Sequence, residues 1–584
     1  MGVKGYTGFK IARLVVTSTS GNTVSYWAMS PVPFTLTNDQ TQAVTTTGRS
    51  IIVSAAAGSG KTAVLAERCA YLVCDAPPEE RCDVDALLVL TFTDAAAAQM
   101  RSRIVDAIRR RLDERPDDTR LRRQLALVDV AQISTIHAFC LWLVRRWFTH
   151  VDLDPTAVVL DADEALLLKK EVLDDLLNQL YATTSVPDDP LGGKSLGVTC
   201  DDPSPADAMA EWELGKRTLT ALGPAFVRLV DDYGLGEDRD ITAAVLKLYD
   251  FTTSLPDPTA WLREAVESLS RRPELVVLEI AAALRTELTR QAEHCAQLVE
   301  SIRAGDPAGY FYADKIAEYE AALREWGATL ATGDQLCVTE SLDRFDRVRE
   351  QIKGFDLGKE RAKPLPKDVD PIKKAAREAA SELYSKQVKE RLFKKRLKNR
   401  FALFSREEWT AGLRQTAPYV ATLVDVVAAF QDAYARKKRR LSVLDFADLE
   451  RFAFDLLRPA DGSDGPSDVA RTMHHRFAHV LVDEFQDINP LQQAILTCVS
   501  RESDPKRPGN LFVVGDVKQS IYRFRQADPH IFQNYAAAWN HPFDSAQGGP
   551  ITPLRLRSLR LRSGRAGIRT GAATGARAQL RDSI

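Results

Sequence analysis

Short, uninterrupted runs of apolar residues recur near both ends of the chain, and stretches with helical spacing separate them. The runs cover residues 50–54, 86–91, 479–483 and 511–516. Strands of a parallel sheet have this pattern because helices cover both faces of the sheet. The apolar spacing of residues 61–73 predicts a helix soon after the first run. The pattern therefore predicts an α/β fold with a parallel sheet and helices on both faces.

The pattern changes between about residues 151 and 440, where apolar positions recur every three to four residues. Residues 163–180 and 260–289 show this helical spacing, and strand-like runs are few. We therefore predict that a large helical insertion domain interrupts the α/β domain. Within the insertion, residues 353–400 hold 16 Lys and Arg against 7 Asp and Glu. A solvated helical face and a track for a nucleic-acid backbone both explain this charge.

These patterns divide the chain into five segments. They are an unassigned N-terminal extension (1–33), the first part of the α/β domain (34–150), the helical insertion domain (151–440), the second part of the α/β domain (441–548) and an Arg-rich tail (549–584). From residue 551 onward the tail holds eight Arg, no Lys and one acidic residue. Such a tail could bind phosphates. We favour out-of-frame translation of a GC-rich gene, which predicts a non-native or disordered segment.

Composition narrows the classes of partner. The net charge of −2 excludes binding of nucleic acid by bulk positive charge, so any such contact requires a local patch. The sequence contains no apolar run of about 18 residues and no secretory signal, which predicts a cytoplasmic protein without membrane contact. The eight cysteines match no zinc-binding spacing and are expected to be reduced thiols.

A phosphate-binding loop follows the first predicted strand and leads into the first predicted helix. It consists of Ala55, Ala56, Ala57, Gly58, Ser59, Gly60, Lys61 and Thr62. Small residues allow backbone N–H groups to close around phosphates, and the helix N-terminus adds the positive end of its dipole. Lys61 is expected to reach the β- and γ-phosphates of ATP, and the Thr62 hydroxyl to bind Mg²⁺. The flanking strand and helix argue against the alternative, a glycine turn beside a surface lysine.

Two adjacent carboxylates, Asp483 and Glu484, lie at the end of the third apolar run. Ligands bind at the carboxyl ends of strands in open α/β sheets. Asp483 is expected to hold Mg²⁺ directly or through water, and Glu484 to orient and deprotonate the attacking water. A strand that ends in Asp-Glu is common by itself. Its combination with the phosphate loop makes the pair a candidate catalytic site.

Residues 514–525, at the end of the last apolar run, combine an amide with aromatic and cationic side chains. Gln519 is placed to sense the γ-phosphate as a catalytic residue, because a neutral amide can bond both the phosphate and the attacking water. Tyr522 and Phe524 alternate with arginines, which suits single-stranded nucleic acid because bases stack on rings and phosphates need counter-charge. Taken alone, the same alternation is more typical of a half-buried surface strand or loop.

In this order, the phosphate loop and residues 482–487 and 515–525 resemble superfamily-one helicases of the UvrD/Rep type. The resemblance implies a RecA-like P-loop NTPase fold and Mg-ATP hydrolysis coupled to 3′-to-5′ movement on single-stranded DNA. It implies that Gln40 recognises adenine and that Arg525 contacts ATP. It also implies DNA contacts from six residues: Thr91, Phe92, Thr93, His137, Tyr522 and Phe524.

Two features move the resemblance toward AddA/RecB-type motors of helicase/nucleases, and the AddA side is the nearer. They are residues 444–449 and the long helical insertion. This resemblance implies single- and double-stranded DNA as substrates, a partner nuclease subunit (AddB-like), and double-strand break repair and recombination as the task. Residues 94–99 depart from the family because they lack its usual lysine, which removes an expected phosphate contact. His137 by itself is more typical of a core histidine, and its motif alone indicates DNA contact.

The resemblance covers about residues 34–540, which correspond to the first motor domain of the family. We expect the chain to lack the second motor domain, whose arginines reach the γ-phosphate, and the nuclease domain. Two functions follow: an ATP-dependent helicase motor, or an ATP- and DNA-binding fragment that does not unwind DNA. A metabolic kinase is disfavoured because it would explain neither Gln519 with its aromatic neighbours nor residues 134–140.

Overall fold

The computed structural model describes most of the chain. The described residues are 9–17, 23–31, 36–56, 58–184, 212–331, 337–358, 362–364, 366, 369–459, 462–463, 465–503, 508–520, 526–538 and 554–556. They group into two compact units. We call the unit formed by Met1–Ala165, Asp250–Pro256 and Lys438–Ile584 the α/β unit, and the unit formed by Leu166–Tyr249 and Asp257–Lys437 the helical unit.

Ten strands are described, and all lie in the α/β unit. They are β1 (Phe9–Thr17), β2 (Thr23–Pro31), β3 (Ile51–Ala55), β4 (Leu87–Thr91), β5 (Gln132–Thr135), β6 (Val158–Val159), β7 (Val443–Leu444), β8 (His479–Val482), β9 (Leu511–Gly515) and β10 (Leu554–Leu556). The main sheet has the order β10-β3-β9-β8-β4-β5, and every neighbouring pair in it is parallel. This confirms the predicted α/β fold with a parallel sheet.

Helices cover the sheet and make up the helical unit. Those whose residues lie in the α/β unit are Asn38–Thr45, Lys61–Cys74, Asp94–Glu114, Thr119–Leu127, Ile136–Arg146, Phe446–Leu457, Asp468–Arg476, Pro490–Val499 and Pro529–Ala538, with 3-10 turns at Val84–Ala86, Val128–Val130, Phe148–His150, Phe485–Asp487, Arg501–Ser503 and Val517–Gln519. Those that lie wholly or mainly in the helical unit are Ala162–Ala182, Leu219–Tyr233, Arg239–Thr253, Pro258–Ser270, Pro273–Arg303, Tyr310–Thr329, Val338–Gly354, Pro371–Glu382, the π-helical Leu383–Lys398, Asn399–Phe401 and Arg406–Leu441, with a 3-10 turn at Pro307–Gly309. Within the described residues, no helix has the length and apolar character needed to cross a membrane.

The helical periodicity of residues 260–289 belongs to two helices. The first is Pro258–Ser270 and the second is Pro273–Arg303. Proline lacks an N–H group and disfavours the helical conformation of the residue before it, so Pro273 can begin a helix but not continue one. Periodicity alone does not detect this break because the apolar spacing on both sides of it is helical.

The strands of the main sheet are buried on both faces, and successive residues point to opposite faces. Leu88 and Leu90 of β4 pack in the core on one face, whereas Leu87 and Val89 pack in the core on the other. The two cores therefore stabilise the sheet from both sides, which explains why the strands appear as continuous apolar runs. The helical unit has its own cores, including one that contains Leu284, Ile316 and Phe345.

A buried charge cluster lies at the start of helix Phe446–Leu457. The ammonium of Lys438 is 2.6 Å from both carboxylate oxygens of Asp448 and 3.2 Å from Oδ2 of Asp445. Asp445 caps the helix and forms a reciprocal capping box with Asp448. Burial, followed by the charge of Asp445, raises the pKa of the Asp448 carboxyl. Lys438 therefore supplies the positive charge that these two carboxylates require.

We expect Lys438→Met to lower the free energy of unfolding by about 3–5 kcal/mol, because it leaves buried carboxylates without a cation. The adjacent Lys437 pairs with Glu171 in a more exposed setting, so Lys437→Met should cost only about 0–1 kcal/mol. Urea titrations followed by circular dichroism measure both losses. Equal losses in the two variants would show that the cluster does not stabilise the fold.

Candidate active site

All the segments that the sequence singles out around the sheet follow strands that run in the same direction. The phosphate loop follows β3, residues 516–519 follow β9, and the Asp-Glu pair follows β8. Residues 92–93 follow β4, and the segment around His137 follows β5. Because these five strands are parallel, their carboxyl ends meet at one edge of the sheet, where open α/β sheets bind ligands. Across the sheet, the three segments assigned to ATP therefore lie side by side, next to the two assigned to DNA.

The phosphate loop adopts the strained turn that glycine allows. Gly58 has a φ of +74° and Gly60 a φ of +85°, and Gly60 is the N-cap of helix Lys61–Cys74. Gln40 donates its side-chain N–H to the carbonyl oxygen of Ser59 at 3.0 Å. The Oγ of Ser59 is buried and has no hydrogen-bond partner within the described part of the chain. A loop with an unpaired buried hydroxyl beside a helix N-terminus fits an anion such as a phosphate.

The structure brings the two halves of the predicted catalytic site together. Lys61 is 8% exposed, and its Nζ lies 3.2 Å from Oε2 of Glu484. The hydroxyl of Thr62 lies 3.5 Å from Oδ2 of Asp483. Burial, followed by the charge of Glu484, raises the pKa of the Asp483 carboxyl to about 6. The pair therefore carries more negative charge than Lys61 neutralises.

The donor set of this site fits Mg²⁺ rather than a metal held by protein alone. Within the described residues, no group of three or more His, Cys, Asp or Glu side chains is placed to hold a metal ion. Mg²⁺ is usually bound through one or two carboxylates together with substrate phosphates and water. The Thr62 hydroxyl and the Asp483 carboxylate supply hard oxygen ligands of this kind. A cation there would also offset the unfavourable burial of the Asp483 charge.

A hydrogen-bonded chain connects Glu484 to the segment after β9. The amide N–H of Gln486 donates to Oε2 of Glu484 at 2.8 Å and to Oδ2 of Asp487 at 3.0 Å. The carbonyl oxygen of Gln486 accepts from the backbone N–H of Asp516 at 2.8 Å. The carboxylate of Asp516 in turn accepts from the side-chain amide of Gln519. Gln486 is 1% exposed, so each of these groups depends on its protein partner.

Several predicted contact residues are placed less directly. Gln519 bonds Asp516, and no contact between Gln519 and Lys61 is observed. The loop members Ala55 and Ala56 precede Gly58 at the end of β3. Four predicted site residues lie outside the described residues: Ala57, Tyr522, Phe524 and Arg525.

The predicted DNA-contact residues lie at the ends of two adjacent strands. Thr91 of β4 pairs with Thr135 of β5. Thr93 is exposed and caps helix Asp94–Glu114, and Phe92 beside it is half-buried. His137 is 38% exposed, and its Nε2 lies 2.9 Å from Oε1 of Glu450. His137 is therefore not a core histidine, because part of its ring faces solvent and one nitrogen bonds a carboxylate.

Two polar residues near this edge were missed by reasoning from the sequence. Gln486 lies within the quoted motif of residues 482–487, yet nothing in its spacing showed that it would bridge β8 and β9. Glu450 lies in a helix with no recognised motif of its own. Its spacing of four from Phe446, which places both on one helix face, was the only available sign.

Comparison with known proteins identifies relatives of similar organisation. Residues 36–539 match the N-terminal domain of UvrD/REP helicases. Several proteins named as the AddA component of an ATP-dependent helicase/nuclease are similar to the chain. Those of Thermoanaerobacter pseudethanolicus and Bacillus licheniformis are each 34% identical, over 85% and 86% of this chain and 36% of each relative. That of Moorella thermoacetica is 35% identical over 89% of this chain and 33% of its own length. The chain thus spans about a third of the length of these relatives.

We expect Gln486→Glu to lower nucleotide hydrolysis by about 10–100-fold, because it places another carboxylate beside Glu484 and removes a donor that orients it. Nucleotide affinity should change little, since Gln486 does not contact the phosphate loop. Gln533→Glu makes the same chemical change on the exposed face of helix Pro529–Ala538 and serves as the control. Steady-state turnover and equilibrium nucleotide binding measure the two effects. Similar turnover in both variants would remove Gln486 from the site.

Proposed function

The chain belongs to the UvrD/REP helicase family, and from this premise we propose that it is the ATP-hydrolysing motor module of a DNA helicase. The observation that carries the proposal is the approach of Lys61 and Thr62 to Asp483 and Glu484 at the carboxyl edge of the sheet. These are the four side-chain types that phosphoryl transfer requires: a cation, a hydroxyl, a carboxylate for the metal and a carboxylate for water.

In this proposal each side chain has one task. Backbone N–H groups of the loop and the ammonium of Lys61 bind the phosphates of ATP, while Gln40 recognises adenine. Thr62 and Asp483 hold Mg²⁺, which neutralises phosphate charge when it is bound. Glu484 accepts a proton from the attacking water. Without nucleotide, Glu484 pairs with Lys61, so phosphates that bind the lysine also free the base for water.

The DNA strand is proposed to contact the ends of β4 and β5, beside the nucleotide site. Thr93 and His137 expose polar groups there, and Phe92 supplies a ring. Movement from 3′ to 5′ on single-stranded DNA is the polarity that the family resemblance implies. The names of the relatives describe one component of a helicase/nuclease, so we extend the proposal to a separate nuclease partner and to double-strand break repair.

One observation favours a second function, an ATP- and DNA-binding module that does not unwind DNA by itself. Within the described part of the chain, no arginine forms an ion pair with Asp483 or Glu484. Arginines that neutralise transition-state charge contribute about 10³–10⁵ in rate to related phosphoryl transfers. A chain that depends on arginines supplied by another domain or protein would bind ATP but hydrolyse it slowly.

Two variants separate binding from hydrolysis. We expect Lys61→Ala to weaken ATP binding about 10-fold or more, because a charge-assisted contact is lost. Glu484→Gln should retain ATP binding and lower turnover about 10²–10⁴-fold, because the general base is removed. Binding is measured by calorimetry with Mg-ATP, and turnover with and without single-stranded DNA.

Matched controls are available on exposed surfaces. Lys386→Ala removes a lysine that pairs with Glu382 in the helical unit, and Glu79→Gln removes an exposed carboxylate. Both controls should behave like the wild type. ATP binding without turnover in the wild type would support the second function. ATP binding that is insensitive to Lys61→Ala would contradict both functions.

A further inference from the structure

Glu450 is a buried carboxylate that the proposed chemistry does not use. It lies in helix Phe446–Leu457 and is 4% exposed. Three side-chain donors surround it: His137 Nε2 at 2.9 Å, Gln492 Nε2 at 2.6 Å and Asn489 Nδ2 at 3.3 Å. A buried charge is unfavourable unless it is hydrogen-bonded, and these donors satisfy both of its oxygens. Each donor is in turn held in place by the carboxylate.

The first of these contacts fixes the imidazole of His137. An ionised carboxylate only accepts hydrogen bonds, so the Nε2 of His137 must carry the hydrogen. This contact selects the tautomer and leaves Nδ1 as the remaining polar atom of the ring. The ring also packs against Phe446, with 4.9 Å between the centroids. Because Phe446 and Glu450 are four residues apart in one helix, a single face of that helix orients His137.

The other two contacts lead to the loop that carries the catalytic carboxylates. Asn489 caps helix Pro490–Val499 and forms a reciprocal capping box with Gln492. Residues 483–489 therefore run without interruption from Asp483 and Glu484 to a cap that bonds Glu450. One carboxylate thus touches both the candidate DNA-contact histidine and the far end of the catalytic loop. The distances on both sides are those of direct hydrogen bonds.

We propose that Glu450 is a positioning residue that couples DNA binding at His137 to nucleotide binding at Lys61. The inference rests on the proposed function, because it requires both ligands. A shift of the imidazole on DNA binding alters the hydrogen bonds of Glu450, and these act on the Asn489–Gln492 cap and the loop before it. Coupling between sites is reciprocal, so nucleotide must change DNA affinity by the same factor by which DNA changes nucleotide affinity.

The test measures this coupling factor directly. The probe is a fluorescent oligothymidylate of about 20 nucleotides, titrated with the 584-residue chain in the presence and absence of a non-hydrolysable Mg-ATP analogue. In the wild type we expect the analogue to change DNA affinity by at least about fivefold. In Glu450→Gln the factor should fall to within about twofold of unity, while affinity for the analogue without DNA is unchanged.

Two further variants distinguish coupling from simple damage to the fold. Gln492→Ala breaks the link on the side of the cap and leaves the contact of Glu450 with His137, so it should lower the coupling factor without weakening DNA binding alone. Asp455→Asn removes an exposed carboxylate from the same helix and should leave the factor at its wild-type value. His137→Ala combined with Glu450→Gln should be non-additive, because one residue acts through the other.

The outcomes separate the inference from the proposed function. A wild-type chain that binds neither the oligonucleotide nor the analogue overturns the proposed function, and the inference with it. A wild-type chain that binds both, with a coupling factor of one or a factor that Gln492→Ala and Glu450→Gln leave intact, overturns only the inference. Additive effects of His137→Ala and Glu450→Gln also overturn it.

Discussion

The parallel alignment of β3, β9 and β8 is the constraint on which the candidate site depends. Because β9 lies between the other two strands, the residues that follow all three meet at one edge. Lys61 and Glu484 are 423 positions apart in the chain, yet their charged atoms lie 3.2 Å apart. The entropy of closing a loop rises only slowly with its length, so a long insertion between β5 and β8 is compatible with this pairing. Apolar cores on both faces of the sheet stabilise the arrangement.

Charge at this edge is unbalanced in a way that suits a polyanion bound together with a cation. Two carboxylates face one lysine, and burial raises the pKa of Asp483 to about 6. The phosphate loop supplies partial positive charge from its helix N-terminus, and the buried hydroxyl of Ser59 has no partner within the described residues. Polar chains through Gln486 and Glu450 connect this centre to neighbouring strand ends. The site is therefore a network, in which moving one group changes the hydrogen bonds of the next.

The sequence predicted the elements well and their side-chain partners poorly. The strands and the phosphate loop were predictable because apolar runs and small residues have local physical meaning. The first strand is shifted by one residue from its predicted bounds, since Ala55 still pairs in the sheet whereas Ser50 does not. The bridging role of Gln486 and the contacts of Glu450 were not predictable. They depend on segments distant in sequence that meet only after the sheet and its covering helices have formed.

The most direct test of this account is a structure of the chain bound to Mg²⁺ and a non-hydrolysable ATP analogue. The account predicts that Nζ of Lys61 moves from Glu484 to the terminal phosphates at about 3 Å, with the metal bound by Thr62 and Asp483. It also predicts that Gln486 still bonds Glu484. A nucleotide bound elsewhere, or one that leaves the ion pair between Lys61 and Glu484 intact, would contradict the assignment of this edge as the motor site.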